Sequence, residues 1–193
     1  MVSATSTSLS PQPRYIGLRA SAAEFTALKD DGFRYQLING VVVMSPSPGQ
    51  PHQALFFHLL LQLGNYVEQR QAGLVLPDTD VRFDDETVYR PDISFFLSGR
   101  HRIGQGVVEV VPDLIIEILS PSTTGMDQHT KRADYEAAGV REYWLVNPSP
   151  LSVEVLRLRN GRFEPVVVGE RVPSEVIVGF ELDLATLRSK LQL

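Results

Sequence analysis

Apolar positions along this chain recur with two different periods. Leu55, Leu59, Leu60 and Leu63 fall near a 3.6-residue spacing, which predicts a helix opened by Pro51 and running to about Gln69. Elsewhere the apolar residues come in short runs bounded by Gly, Pro, Asn and Asp, the pattern of strands. YQLI and VVVM flank Asn39-Gly40, a dipeptide suited to a two-residue hairpin turn because both positions tolerate positive φ. LVLPDTDVRF, VYRPDISFFL and DLIIEILS predict three consecutive strands, and EYWLVNP a further one stopped by Asn147-Pro148. VEVLRL and FEPVVV, joined at Asn160-Gly161, predict a C-terminal hairpin. Ser21 followed by Glu24 matches a capping box and predicts a short helix over Ala22 to Asp30, ended by Gly32. Helix-start residues between Ser122 and Asp127 predict a helix reaching Ala138, with Gly139 just past it, and a last short helix follows Leu184. The central order is helix, three strands, helix, strand. It predicts an α/β (α+β) fold: a mixed sheet flanked by helices, with an extra hairpin at each end.

Composition narrows the class. A chain of 193 residues with 43% hydrophobic content can bury one real core, so residues 14–193 are expected to form a single domain. The first thirteen residues, MVSATSTSLSPQP, read as a flexible tail without the basic start and apolar stretch of a secretory signal. A net charge of -5 argues against clamping nucleic acid by bulk charge, while leaving room for a local basic groove. The absence of cysteine rules out disulfides and thiolate metal sites, and suits a cytoplasmic location. No apolar run approaches the roughly 18 residues of a membrane span, so no membrane partner is expected. Ser120 and Ser122 have no His/Asp partner at a recognisable spacing, no GxSxG turn is present, and no glycine-rich loop is placed to cradle phosphates.

One residue departs from the strand pattern. Glu117 lies in the middle of DLIIEIL, sharing a face with Ile115 and Leu119. A buried carboxylate costs several kcal/mol unless it is paired, protonated or bound to a cation. Two explanations stand: an arginine partner at a sheet edge, or a divalent cation. A hard cation needs a second acid. Asp92 stands in Arg90-Pro91-Asp92 at the start of a strand that should lie beside that of Glu117, whereas Asp78 and Asp113 have the turn positions of solvated or capping residues. Lys131, one of three lysines, sits in the first turns of the helix after the Glu117 strand. It either pairs with Asp127 four residues earlier at the surface or leans back toward the strand ends. Tyr135 shares its helix face. His58, His101 and His129 have no metal-ligand spacing.

Asp92, Glu117 and Lys131 on this order of elements resemble the PD-(D/E)XK nuclease superfamily. YQLINGVVVMSPSP, His52-Gln53, RPDISF, PDLIIEILSPST, the Lys131–Tyr135 spacing and AGVREYWLVNP resemble the Uma-two family of restriction-endonuclease-like proteins, over about Ala20 to Leu184. The resemblance implies a restriction-endonuclease-like core and a divalent-metal phosphodiesterase site. It assigns Asp92, Glu117 and Lys131 as catalytic, and a Mg2+ (or Mn2+) ion to Asp92, Glu117 and the backbone carbonyl of Ile118. The superfamily lysine two residues after the second acid is Leu119 here, and Lys131 is its substitute by role. His52 matches a histidine at the start of the long helix. Gln36, with Asn39 and Val41, stands where related sequences carry a Glu and further acids. Gln36, His52, Asp80 and Tyr135 are possible supporting residues.

Two functional classes follow. The first is a magnesium-dependent endonuclease acting on nucleic acid, with DNA the leading substrate and a homodimer the expected assembly. The second is a catalytically degenerate nuclease fold that binds nucleic acid or protein. A purely structural, self-associating sheet protein is a distant third.

Overall fold

The computed structural model describes residues 12–120 and 125–192. The tail expected over 1–13 lies outside them, apart from its last two residues. The capping box forms as expected: the Ser21 side chain accepts the Glu24 N–H and the Glu24 carboxylate accepts the Ser21 N–H. The helix it opens, α1 (Ala22–Thr26), is shorter than the sequence suggests and closes at Ala27. The Asn39-Gly40 turn has positive φ at both residues (50° and 72°) and joins β1 (Tyr35–Ile38) to β2 (Val41–Met44). The long helix α2 spans Gln50–Arg70 with Pro51 in its first turn, and Gln71 ends it in the left-handed conformation.

Two of the expected strands are each broken in two. LVLPDTDVRF divides at Pro77-Asp78 into β3 (Gly73–Pro77) and β4 (Val81–Arg82), with Asp78 at φ 47°. VYRPDISFFL divides at Arg90-Pro91 into β5 (Val88–Tyr89) and β6 (Ile93–Leu97). Proline has no N–H for the ladder, so the chain changes sheets at that point. The sequence β7 (Leu114–Ile118) then leads through a π-helical turn (Met126–Lys131) into α3 (Arg132–Ala138), capped by Gly139 at φ 85°. The first part of the expected helix start, 121–124, lies outside the described residues. Next come β8 (Glu142–Pro148) and the hairpin β9 (Leu151–Arg159) and β10 (Arg162–Val166). A small antiparallel pair, β11 (Arg171–Pro173) and β12 (Glu181–Asp183), precedes α4 (Leu184–Leu191).

The main sheet has the order β10-β9-β8-β7-β6-β3. Only β7 and β8 run parallel, which requires a crossover, supplied here by α3. Alternation along the central strands divides the core in two. Ile93, Phe95, Ile116, Ile118, Trp144 and Val146 meet α2 and α4. Ile115, Tyr143 and Leu145 meet Tyr135 of α3 on the opposite face. The N-terminal hairpin does not extend this sheet. It forms a second one, β2-β1-β5-β4, through the Leu37–Val88 pairing. The C-terminal hairpin does extend the main sheet. Among the described residues, no helix is long and apolar enough to cross a membrane.

Asp113 corrects the expectation of a solvated or capping residue. It is fully buried, accepts the Leu97 N–H at 2.9 Å, and is held by Arg100 and Arg141. The two arginines compensate the desolvated charge.

Candidate active site

In the antiparallel pairing of β6 with β7, Ile93 stands opposite Ile116. The residue before β6, Asp92, is therefore set beside Glu117. The Asp92 N–H is 3.5 Å from Glu117 Oε2. Asp92 Oδ2 accepts the Ile118 N–H at 2.7 Å and lies 3.3 Å from His52 Nε2, which the first turns of α2 bring across. Two strands and a helix thus converge on one carboxylate.

Glu117 is not at a sheet edge and its partner is not an arginine. β7 is the fourth of six strands. Glu117 Oε1 accepts from Lys131 Nζ at 2.8 Å and from the Tyr135 hydroxyl at 2.9 Å. The Glu117 and Lys131 side chains are 4% and 5% exposed, so Lys131 leans back toward the strands and does not lie at the surface. It is the last residue of the π-helical turn, and Tyr135, four residues on, is also fully buried. A turn of π-helix inserts an extra residue into the helical repeat and re-aims side chains, a feature frequent at functional sites.

A polar cleft of about 380 Å³ opens over the pair, with Gln36, His52, Ile118 and Lys131 on its walls. Arg34 and Arg90 add positive charge to the lining. Gln36 bridges two elements, donating to Ser45 Oγ at 2.9 Å and accepting the Arg90 N–H at 3.2 Å. Asn39 and Val41 do not line the cleft. Asn39 makes the hairpin turn, and Val41 bridges to Arg19. Asp80 does not line it either. Both its oxygens are taken by Arg90, at 2.7 and 2.9 Å, and it acts on the cleft only by holding that arginine. Arg34 is held at the cleft by Asp78.

Neither Arg34 nor Tyr89 and Asp134 beside Lys131 stand out in the sequence. Tyr89 is fully buried with its ring beneath Lys131, and its hydroxyl donates to Asp134. The adjacency of Tyr89 and Arg90 to Pro91-Asp92 is the one local sign that they share the site.

A family model described as "Uma2: Putative restriction endonuclease" matches residues 22–185. The chain belongs to the Uma2 family. Among solved structures it is similar to a crystal structure described as "a putative nuclease belonging to DUF820" from Anabaena variabilis. The TM-score is 0.75 at 23% identity, over 89% of this chain and 98% of that one. That likeness establishes the nuclease-like fold. No curated protein matches the chain.

The groups this Uma2 cleft offers a cation are chiefly oxygen, the Asp92 and Glu117 carboxylates, with Ile118 on the same wall and His52 Nε2 3.3 Å from Asp92. Among the described residues no group of three or more His, Asp or Glu side chains gathers at metal-holding spacing. Two carboxylates and a polar cleft fit magnesium, which commonly takes one or two carboxylates and completes its shell with water and substrate phosphate. The site lacks the nitrogen- or sulfur-rich set that zinc prefers.

Proposed function

We propose that this Uma2 chain is a metal-dependent nuclease that hydrolyses phosphodiester bonds of nucleic acid in the cleft between Asp92 and Glu117. The observation that carries the reading is the pairing itself. Two acids from adjacent strands stand side by side at a polar cleft, and a buried lysine is hydrogen-bonded to one of them. Asp92, Glu117 and the Ile118 carbonyl would hold Mg2+ or Mn2+. When bound, that ion supplies Lewis-acid polarisation of the phosphate and a water of lowered pKa.

The remaining work falls to the chain. Lys131 brings a fixed positive charge to where negative charge develops on the phosphoryl oxygens. Tyr135 and Lys131 together orient Glu117 from one side and leave its other oxygen toward Asp92. His52 positions Asp92 and reaches the cleft wall. Arg90, pinned by Asp80, and Arg34, held by Asp78, place guanidinium donors on the cleft lining where phosphate oxygens could be met. The reading extends to DNA as substrate, to a cytoplasmic location and to a homodimer. Two-fold pairing is the commonest assembly, and a duplex needs two cuts.

The degenerate reading is favoured by two features. Lys131 and Tyr135 already compensate Glu117 without a cation, and Gln36 stands where the family resemblance implies a third acid. One experiment separates the readings. Manganese is titrated calorimetrically into wild type and Glu117→Gln, and the same proteins plus Asp92→Asn are incubated with plasmid, single-stranded DNA and RNA in magnesium. Metal binding and cleavage in wild type, both lost in the variants, support the nuclease. Metal-independent nucleic-acid binding without cleavage supports the binding module.

A further inference from the structure

Behind the cleft wall that Lys131 lines, the same helical segment carries Asp134 and Tyr135, at positions i+3 and i+4 from it, which share one helical face. Lys131 and Tyr135 reach Glu117. Asp134, between them, accepts the hydroxyl proton of Tyr89. Tyr89 belongs to β5, in the other sheet, three residues before Asp92. Its ring centroid is 5.7 Å from Lys131 Nζ, within cation–π range, and 5.7 Å from the Tyr135 ring at 89°, edge to face. The nuclease reading uses Lys131, Tyr135 and Glu117 but gives Tyr89 no part.

We propose that Tyr89 is a positioning residue for Lys131: its ring face seats the ammonium against Glu117, and Asp134 fixes the ring from the same helix. The inference rests on the reading of this cleft as a nuclease site, and adds a residue to it. A hydrogen bond to a carboxylate directs one N–H of a buried ammonium and leaves its rotation about that contact open. An aromatic face gives a second attractive surface that offers no proton acceptor, so it constrains the ammonium without consuming a donor. The phenol suits this part because it stays neutral. Burial, and then the hydrogen bond to Asp134, raise its pKa well above the ordinary value. The double link from Tyr89 to Lys131 and Asp134 also ties the hairpin-bearing sheet to the helix, and so joins two walls of the cleft.

The test uses the full chain labelled with 13C at the lysine ε-carbons. There are three lysines, Lys29, Lys131 and Lys190, so the spectrum holds three signals, and Lys131→Arg assigns one of them. Without metal or substrate, the Lys131 ε-methylene protons are expected upfield of the other two, because the ammonium they adjoin lies over the Tyr89 ring. Tyr89→Phe keeps that upfield position and Tyr89→Leu abolishes it. In cleavage assays Tyr89→Leu lowers kcat about tenfold or more with KM little changed, and Tyr89→Phe recovers most of the loss. A Lys131 signal coincident with Lys29 and Lys190 in wild type overturns the proposal, even where Tyr89→Leu fails to fold. So does an equal fall in kcat for Phe and Leu. An upfield Lys131 signal in a protein that cleaves nothing upholds the seating by Tyr89 and overturns the nuclease reading instead.

Discussion

Asp92 Oδ2 accepts the backbone N–H of Ile118 at 2.7 Å, so the acid of one strand is fastened to the main chain beside the acid of the next. The contact fixes the spacing of the two carboxylates and satisfies a buried donor in the same stroke. Asp92 is thus both a candidate metal ligand and part of the strand pairing.

Asp92→Ala leaves the Ile118 N–H without its acceptor, and a buried unsatisfied donor costs about 1–3 kcal/mol. Asp92→Asn keeps a carbonyl oxygen for it. Urea unfolding is expected to show Asp92→Ala destabilised by about that amount and Asp92→Asn by less than half of it. Equal losses would show that the hydrogen bond contributes little.

Breaking one side of the Glu117–Lys131 pair leaves a buried charge. Removing one partner of such a pair typically costs about 3–5 kcal/mol, whereas removing both is far milder. Lys131→Met is therefore expected to destabilise strongly, and the double variant Glu117→Gln/Lys131→Met to recover most of the loss. Additive effects in a denaturation cycle would contradict the direct coupling.

The α3 helix is also tied to the C-terminal hairpin by Glu136, which accepts the Phe163 N–H and pairs with Arg162 at 3.0 Å. The Phe163 N–H, and then Arg162, hold the Glu136 pKa below the ordinary glutamate value. A carboxylate with a depressed folded-state pKa adds stability that is fully present above the unfolded value of about 4.3 and lost as pH falls through the folded value. Wild type should therefore melt above Glu136→Gln at neutral pH, with the gap closing below about pH 4. A constant difference down to pH 3 would contradict this linkage.

Gln36 lines the cleft and holds Ser45 and the Arg90 N–H. Gln36→Glu preserves both contacts if the Ser45 hydroxyl turns to donate, and adds a negative charge near Asp92 and Glu117. Manganese affinity is expected to rise several-fold, read by calorimetry. Unchanged affinity would place Gln36 outside the reach of a bound cation.

Much of this molecule was legible in local pattern. The capping box at Ser21, the Asn39-Gly40 hairpin, the long helix opened near Pro51 and the order of strands and helices follow from short-range chemistry: caps, turn conformations and apolar periodicity. The pair Asp92 and Glu117 was legible for the same reason. A carboxylate within an apolar strand is costly enough to need a cause, and the neighbouring strand offered the second acid.

What the tertiary structure alone decided depends on groups distant in sequence. Asp113 reads as a turn residue until Arg100 and Arg141 close over it. VYRPDISFFL reads as one strand, yet Pro91 cannot donate to a ladder and the chain passes from one sheet to another there. Local spacing leaves Lys131 two readings, a surface pair with Asp127 four positions away or a side chain leaning back toward the strands. The π-helical turn and the packing of α3 carry it inside, against Glu117 and the ring of Tyr89. Local sequence determines which elements form. Whether a charge within them ends in water or in the core is set by which partners the folded chain brings within hydrogen-bonding distance, because only a partnered charge can bear its own desolvation.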